Sequence, residues 1–151
     1  MLFNQVPQDD EGLLDGKGRE LQYAVDSDGN YVKSKSSGWE PKNAIFIQAW
    51  NQIKDKMYEA RKGILNGKLS PIAYFMQLHI MDTTLLAEYV GLPKRKVRKH
   101  LKPENFLALS PDLKKLYAQA FGLTPEQLLD VKRLERITPE DEIYNKIGIK
   151  L

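Results

Sequence analysis

The chain has no cysteine and only two histidines among its 151 residues. Without thiols there is no disulfide framework, no zinc–thiolate or iron–sulfur site, and no cysteine nucleophile. His79 and His100 alone cannot build a histidine-rich metal cage. No apolar run approaches the roughly 18 residues of a membrane span. The opening stretch MLFNQVPQDDEG turns acidic where a secretory leader would be basic and then apolar. A soluble, cytoplasmic protein with no membrane partner is the expectation. Phosphate loops, dinucleotide fingerprints and nucleophile elbows are missing too. The expectation is therefore a protein that is not an enzyme and needs no cofactor.

What is present suffices for a core: 42% of the residues are hydrophobic and 28% charged, a mixture too apolar for disorder throughout. The net charge of +3 is small, but it is unevenly spread. Residues 1–40 carry 4 basic and 8 acidic side chains, whereas residues 41–151 carry 19 and 12. Within the second part, residues 93–102 read PKRKVRKHLK, six cations and no acid. A basic run is commonly a solvated face, so its meaning depends on where the fold puts it.

Residues 1–18 combine acids and glycines with few large apolar groups, which predicts an irregular, mobile arm. LQYAV, DSDGN and YVKSK follow. Extended-chain formers flank a cluster able to take positive φ, which predicts a β-hairpin over about 21–35. The spacing of Asp26, Asp28 and Asn30 also fits the start of a calcium loop. Tyr31 stands where that loop needs glycine, however, and Ser37 where it needs a bidentate glutamate, so a plain turn is expected. Trp39 and Trp50, near the hairpin, are expected in the core.

From about 43 to 66 the sequence predicts one long helix. Phe46, Trp50, Ile53, Met57, Ala60 and Ile64 step by fours and threes along one face, with Ile47, Tyr58 and Leu65 broadening the stripe. Such a seam suits either the chain's own core or a homodimer contact. After Gly67, Ser70-Pro71, Ser110-Pro111, Thr124-Pro125 and Thr138-Pro139 each offer a hydroxyl N-cap before a proline at the first helical position. Asp82 offers another cap, and Thr124 with Gln127 fits a capping box. The predicted helices are about 71–80, 83–90, 94–101, 111–121, 125–135 and 139–146, with no internal repeat. The acidic clusters at 9–11 and 140–142 are read as structural, the latter matching a helix dipole. His79 and Asp82, one helical turn apart, make no catalytic pair, because Asp82 is taken as a cap.

Residues 83–101, TTLLAEYVGLPKRKVRKHL, resemble a helix-turn-helix. Leu86 and Val90 form the inner face of the first helix, and Ala87 is the small residue that permits a close crossing. Gly91 takes the turn, Leu92 plugs it, and Val97 faces inward from the second helix. With the flanking helices, residues of about 70–131 are similar to the λ-repressor-like (Cro/CI, XRE-type) DNA-binding domain. LYAQAFGL at 116–123 and TPEQL at 124–128 resemble that family's later part. His100 occupies a place where the family buries an aliphatic or aromatic side chain, and is expected at the core edge.

The resemblance implies a mainly α fold: a λ-repressor-like helical bundle preceded by a β-hairpin and a long helix. Residues 1–67 would form an N-terminal extension, 68–136 the helix-turn-helix domain and 137–151 a C-terminal helix and tail. It further implies duplex DNA as partner, with helix 94–101 in the major groove, as in a bacterial or phage-type transcriptional regulator. Lys94, Arg95 and Lys99 would face base edges. Lys96, Arg98 and Lys102 would face the backbone, and Thr83 and Thr84 would add hydroxyls and amides to a phosphate. Cations donate only, so either guanine O6 and N7 are their targets or sequence discrimination is weak and phosphates supply much of the affinity. An adaptor role, in which the same run grips an acidic protein or RNA, stays open, as does a homodimer through helix 43–66.

Overall fold

A computed structural model describes residues 1–9 and 19–146. Among these residues the chain is mainly helical, with nine helices and one two-stranded antiparallel sheet. It divides into two compact units, Met1–Gln52 and Ile53–Leu151, a division that falls within the long helix.

In the first unit, β1 (Glu20–Val25) pairs with β2 (Tyr31–Ser36) in a register that sets Val25 opposite Tyr31 and Tyr23 opposite Lys33. The turn closes because the Asp26 carboxylate accepts the N–H groups of both Asp28 and Asn30 at 2.9 Å, while Gly29 takes φ +82°, a conformation cheap only without a Cβ. These bonds hold the Asp26 carboxyl below its ordinary value, the Asn30 N–H first among them. The period-two pattern sends Ala24, Ser34 and Ser36 inward and Leu21, Tyr23, Tyr31, Lys33 and Lys35 outward.

Residues 1–9, expected to be a mobile arm, are instead tied down. Phe3–Gln5 form a 3-10 turn, Leu2 bridges to Val25, and Gln8 bridges to Gly38. Gln8 Nε2 donates to the Lys35 carbonyl at 2.8 Å, and the buried Ser36 hydroxyl donates to the Pro7 carbonyl at 2.5 Å. The rest of that arm, residues 10–18, lies outside the described residues, as do 147–151 of the tail. Trp39, expected in the core, is 56% exposed.

Helix α1 (Glu40–Leu65) starts three residues before the predicted 43. Of its predicted seam, Met57, Ala60 and Ile64 are buried and Trp50 and Ile53 half-buried; the Phe46 side chain lies outside the described set. Met57 through Ile64 are thus committed to the core of the second unit, which removes the C-terminal half of the seam from any contact between subunits.

That core is centred on α2 (Pro71–Leu78), in which every residue except Gln77 is buried. A short helix apolar on all sides must be enclosed, and α7 (Pro125–Leu129) and α9 (Pro139–Lys146) pack against it. Helices α3 (Thr83–Val90), α4 (Lys94–His100), α5 (Pro103–Leu107), α6 (Pro111–Ala120) and α8 (Arg133–Arg136) complete the unit. Phe75 meets Tyr74 edge-on at 5.6 Å and Phe121 at 5.8 Å, placing large aromatic surfaces where burial contributes about 2 kcal/mol each.

One predicted helix is split and one helix, α5, lies outside the expected set, each for an identifiable reason. The span 125–135 breaks at Asp130, where α7 ends; its carboxylate accepts the Arg133 N–H at 3.1 Å and an Arg136 guanidinium N–H at 3.2 Å, tying down the turn that leads into the next helix. Pro103 opens α5, because a proline is tolerated in a first turn. The Ser110, Thr124 and Thr138 hydroxyls cap as expected. Ser70 does not: its hydroxyl donates to the His100 carbonyl at 2.8 Å.

Candidate functional site

Four helices of the second unit end on a left-handed residue: Gly67, Ile80, Gly91 and Gly122. At Gly91 (φ +62°) the chain leaves α3, and the Leu92 N–H returns to the Ala87 carbonyl at 3.0 Å, the C-terminal bond that satisfies an orphan carbonyl. Pro93 then caps α4 in extended backbone. Three residues therefore separate two short helices that pack on each other. Leu86, Ala87 and Val90 of α3 and Val97 of α4 are buried between them and the core, with Leu92 half-buried at the turn.

Helix α4 is thereby anchored by one apolar side chain. Lys94, Arg95, Lys96, Arg98 and Lys99 are all exposed, and so is Lys102 just beyond the helix. The ion pairs found among the described residues join other partners, so these six cations form none there. Such a concentration of like charge disfavours the free state and favours a polyanion.

The C-terminal end of α4 is held from three sides. The Asn105 side-chain amide donates to the Lys99 carbonyl at 3.0 Å, the Ser70 hydroxyl takes the His100 carbonyl, and the Ser70 N–H takes that of Leu101 at 2.8 Å. His100 sits half-buried, its Nδ1 2.8 Å from the hydroxyl of fully buried Tyr117 on α6. Burial, aided by the Lys96 charge, pushes the imidazole pKa down, and burial pushes the Tyr117 phenol up to about 12. The helix is held at this end, while the side chains of its cations, Lys94 excepted, make no hydrogen bond or ion pair among the described residues. Sequence patterning does not reveal the Ser70 or Asn105 contacts, since both depend on which backbone end the fold brings near.

The N-terminus of α3 differs from its expected role. Asp82 Oδ1 accepts the N–H groups of Thr84 and Leu85 at 2.8 Å each, and these bonds, the Leu85 one first, with a contribution from Lys94, hold its carboxyl below the ordinary value. The Thr84 amide expected for a phosphate is therefore already bonded to a carboxylate. The Thr84 hydroxyl accepts from Lys94 Nζ, so those two predicted residues are brought together, while Thr83 is half-buried.

Among the described residues no group of histidines and carboxylates is arranged to hold a metal ion, and no helix is long and apolar enough to cross a membrane. Compared with known proteins, the chain matches no family model, no curated protein and no solved structure.

Proposed function

We propose that the chain binds duplex DNA through α4, as a helix-turn-helix regulator of the bacterial or phage type in the cytoplasm. One observation carries this reading: every exposed side chain of α4 before His100 is cationic, and α4 follows a tight glycine turn behind a small-residue crossing at Ala87. A helix placed that way presents its N-terminal half to base edges in a major groove. Arg95, in its first turn, is the reader of guanine O6 and N7. Lys99 stands one turn further on, Lys96 and Arg98 serve the backbone, and Lys94, bonded to Thr84, carries charge at the junction of α3 and α4. Lys102, beyond the helix, neutralises phosphate without reading sequence.

The test is binding of the full chain to a panel of duplexes across a salt series. About four phosphate contacts give a slope of log K against log salt near −3.6. Arg95→Ala is expected to cost about 1–3 kcal/mol on the preferred site and to blur discrimination there. Lys102→Ala is expected to weaken all duplexes alike and flatten the slope by about 1. Affinity that is flat between about 50 and 200 mM salt, or identical behaviour of the two variants, refutes the reading and favours an acidic protein or RNA as the partner.

A further inference from the structure

The first unit carries a surface that α4 does not explain. On the outward side of the hairpin, Leu21, Tyr23 and Val25 of β1 lie opposite Lys35, Lys33 and Tyr31 of β2. Tyr23 is 63% and Tyr31 83% exposed, and both lysines are exposed as well. The two rings suit a strand by propensity, yet their faces are left open to solvent on a six-residue ribbon. They stand on a diagonal of the antiparallel register, a spacing of about 7–8 Å. A flat ring in van der Waals contact with each of two walls needs about 7 Å between them.

Among the outward residues of the two strands the only charges are those of Lys33 and Lys35. Neither Lys33 nor Lys35 is in an ion pair among the described residues. The nearby carboxylates are otherwise engaged: Glu20 belongs to the inward set and pairs with Lys42 at 2.6 Å, and Asp26 is bonded into the turn. Of the described carboxylates of the hairpin, Asp28, at the tip, is the exposed one. Beside Val25, a groove of about 450 Å³ lies between the N-terminal segment and the turn, lined by Leu2, Phe3, Asn4, Val25, Asp26 and Ser27.

We propose that this hairpin face binds single-stranded nucleic acid, with Tyr23 and Tyr31 as stacking platforms for one base and Lys33 and Lys35 on the flanking phosphates. Aromatic faces alternating with cations match a strand whose bases are unpaired and whose backbone is anionic. A duplex hides its base faces and would use only the lysines. The inference stands apart from the reading of α4, because its residues lie in the other unit.

Fluorescence anisotropy of the full chain with a labelled oligothymidylate of about 15 nucleotides, beside a labelled duplex, tests it. Threonine keeps strand propensity, so Tyr31→Thr and Tyr23→Thr retain the hairpin, as circular dichroism checks. Each is expected to weaken oligothymidylate binding about 5- to 100-fold and leave the duplex unaffected, while Tyr31→Phe keeps most of the affinity. Lys33→Ala with Lys35→Ala is expected to flatten the salt slope on the single strand by about 1.4. Arg95→Ala is expected to do the reverse of the tyrosine variants, so the two sites fail separately. The proposal is overturned if wild type does not bind the oligonucleotide at about 50 mM salt, or if the threonine variants bind it equally. It is also overturned if Tyr31→Thr abolishes self-association but not oligonucleotide binding, which assigns the face to a second copy.

Discussion

The turn from α3 to α4 and the turn from α6 to α7 share their buried positions but not their surfaces. Aligned on Gly91 and Gly122, Leu86 matches Tyr117, Ala87 matches Ala118, Val90 matches Phe121 and Val97 matches Leu128, and all eight are buried. Leu92 and Leu123 follow the two glycines, and their N–H groups return to the carbonyls of Ala87 at 3.0 Å and Ala118 at 2.8 Å. The expectation of no internal repeat thus misses a local one, short enough to escape notice outside the fold. At the second and third positions of the helices that follow, all exposed, Arg95 and Lys96 stand against Glu126 and Gln127. The same backbone device is built twice, and only one copy is armed with cations. What a helix of this kind does therefore resides in its exposed residues, not in its turn.

The largest effect is expected from giving α4 the surface of α7. Arg95→Glu with Lys96→Gln should reduce duplex affinity about 100-fold, since one base contact and at least one phosphate contact are lost. Thermal stability should hold, because both side chains are exposed. Filter binding and a melting curve check the pair of outcomes; a folded variant with unchanged affinity would show that α4 is not the contact surface.

The next effect concerns the turns themselves. A Cβ on Gly91 or Gly122 meets no atom within 4 Å, so Gly91→Ala and Gly122→Ala feel only left-handed backbone strain. Each should lose about 1 kcal/mol, and by similar amounts if the turns are equivalent. Ile80 supplies the control in the opposite direction. It ends α2 at φ +53° with its side chain 64% exposed, a conformation strained for a β-branched residue. Ile80→Gly should raise stability by up to about 1 kcal/mol, measured by urea denaturation. A loss would mean that the exposed isoleucine makes contacts worth more than its strain.

A smaller difference separates two buried tyrosines. Tyr117 links α6 to α4 through His100, whereas the Tyr74 hydroxyl on α2 has no hydrogen-bond partner among the described residues. Tyr117→Phe should cost about 1 kcal/mol, while Tyr74→Phe should lie within about 0.5 kcal/mol of neutral or stabilise. Equal losses in the two denaturation curves would refute this assignment of partners.

Which parts of this architecture are legible in the sequence follows from the range of the interactions. Gly91, Ala87 and Val97 announce their positions through local spacing, and so do the Thr124–Gln127 and Asp82 caps, whose bonds span three residues or fewer. The six cations of the candidate site are equally plain in PKRKVRKHLK. Ser70 looks like a cap locally, yet its hydroxyl is claimed by His100, thirty residues on. Ile80 carries no mark of a left-handed end, because a β-branched residue is the least suited to positive φ. Asp130 sits within an otherwise helical pattern and reveals the break only once Arg133 and Arg136 turn back to its carboxylate. The ordering of residues 1–9 likewise depends on Val25, Lys35 and Gly38, which no local pattern links to them.

The smallest effect expected is a pH dependence seated at His100. Its folded pKa lies below the ordinary 6.5, through burial first and the Lys96 charge second, so in the window just below 6.5 the unfolded chain binds more protons than the folded one. Stability from the neutral imidazole is then complete above about 6.5 and is lost as pH falls from there through the folded value. Melting temperatures taken from pH 7.5 down to 5.5 should decline for the wild type. In His100→Gln, whose amide can still reach the Tyr117 hydroxyl, the decline over that window should be shallower. Lys96→Gln should reduce the decline as well, by removing the second cause and letting the folded pKa rise toward the unfolded one. Parallel melting curves in all three proteins would show that protonating His100 costs the fold nothing, and that the seat of α4 on α6 does not depend on a neutral ring.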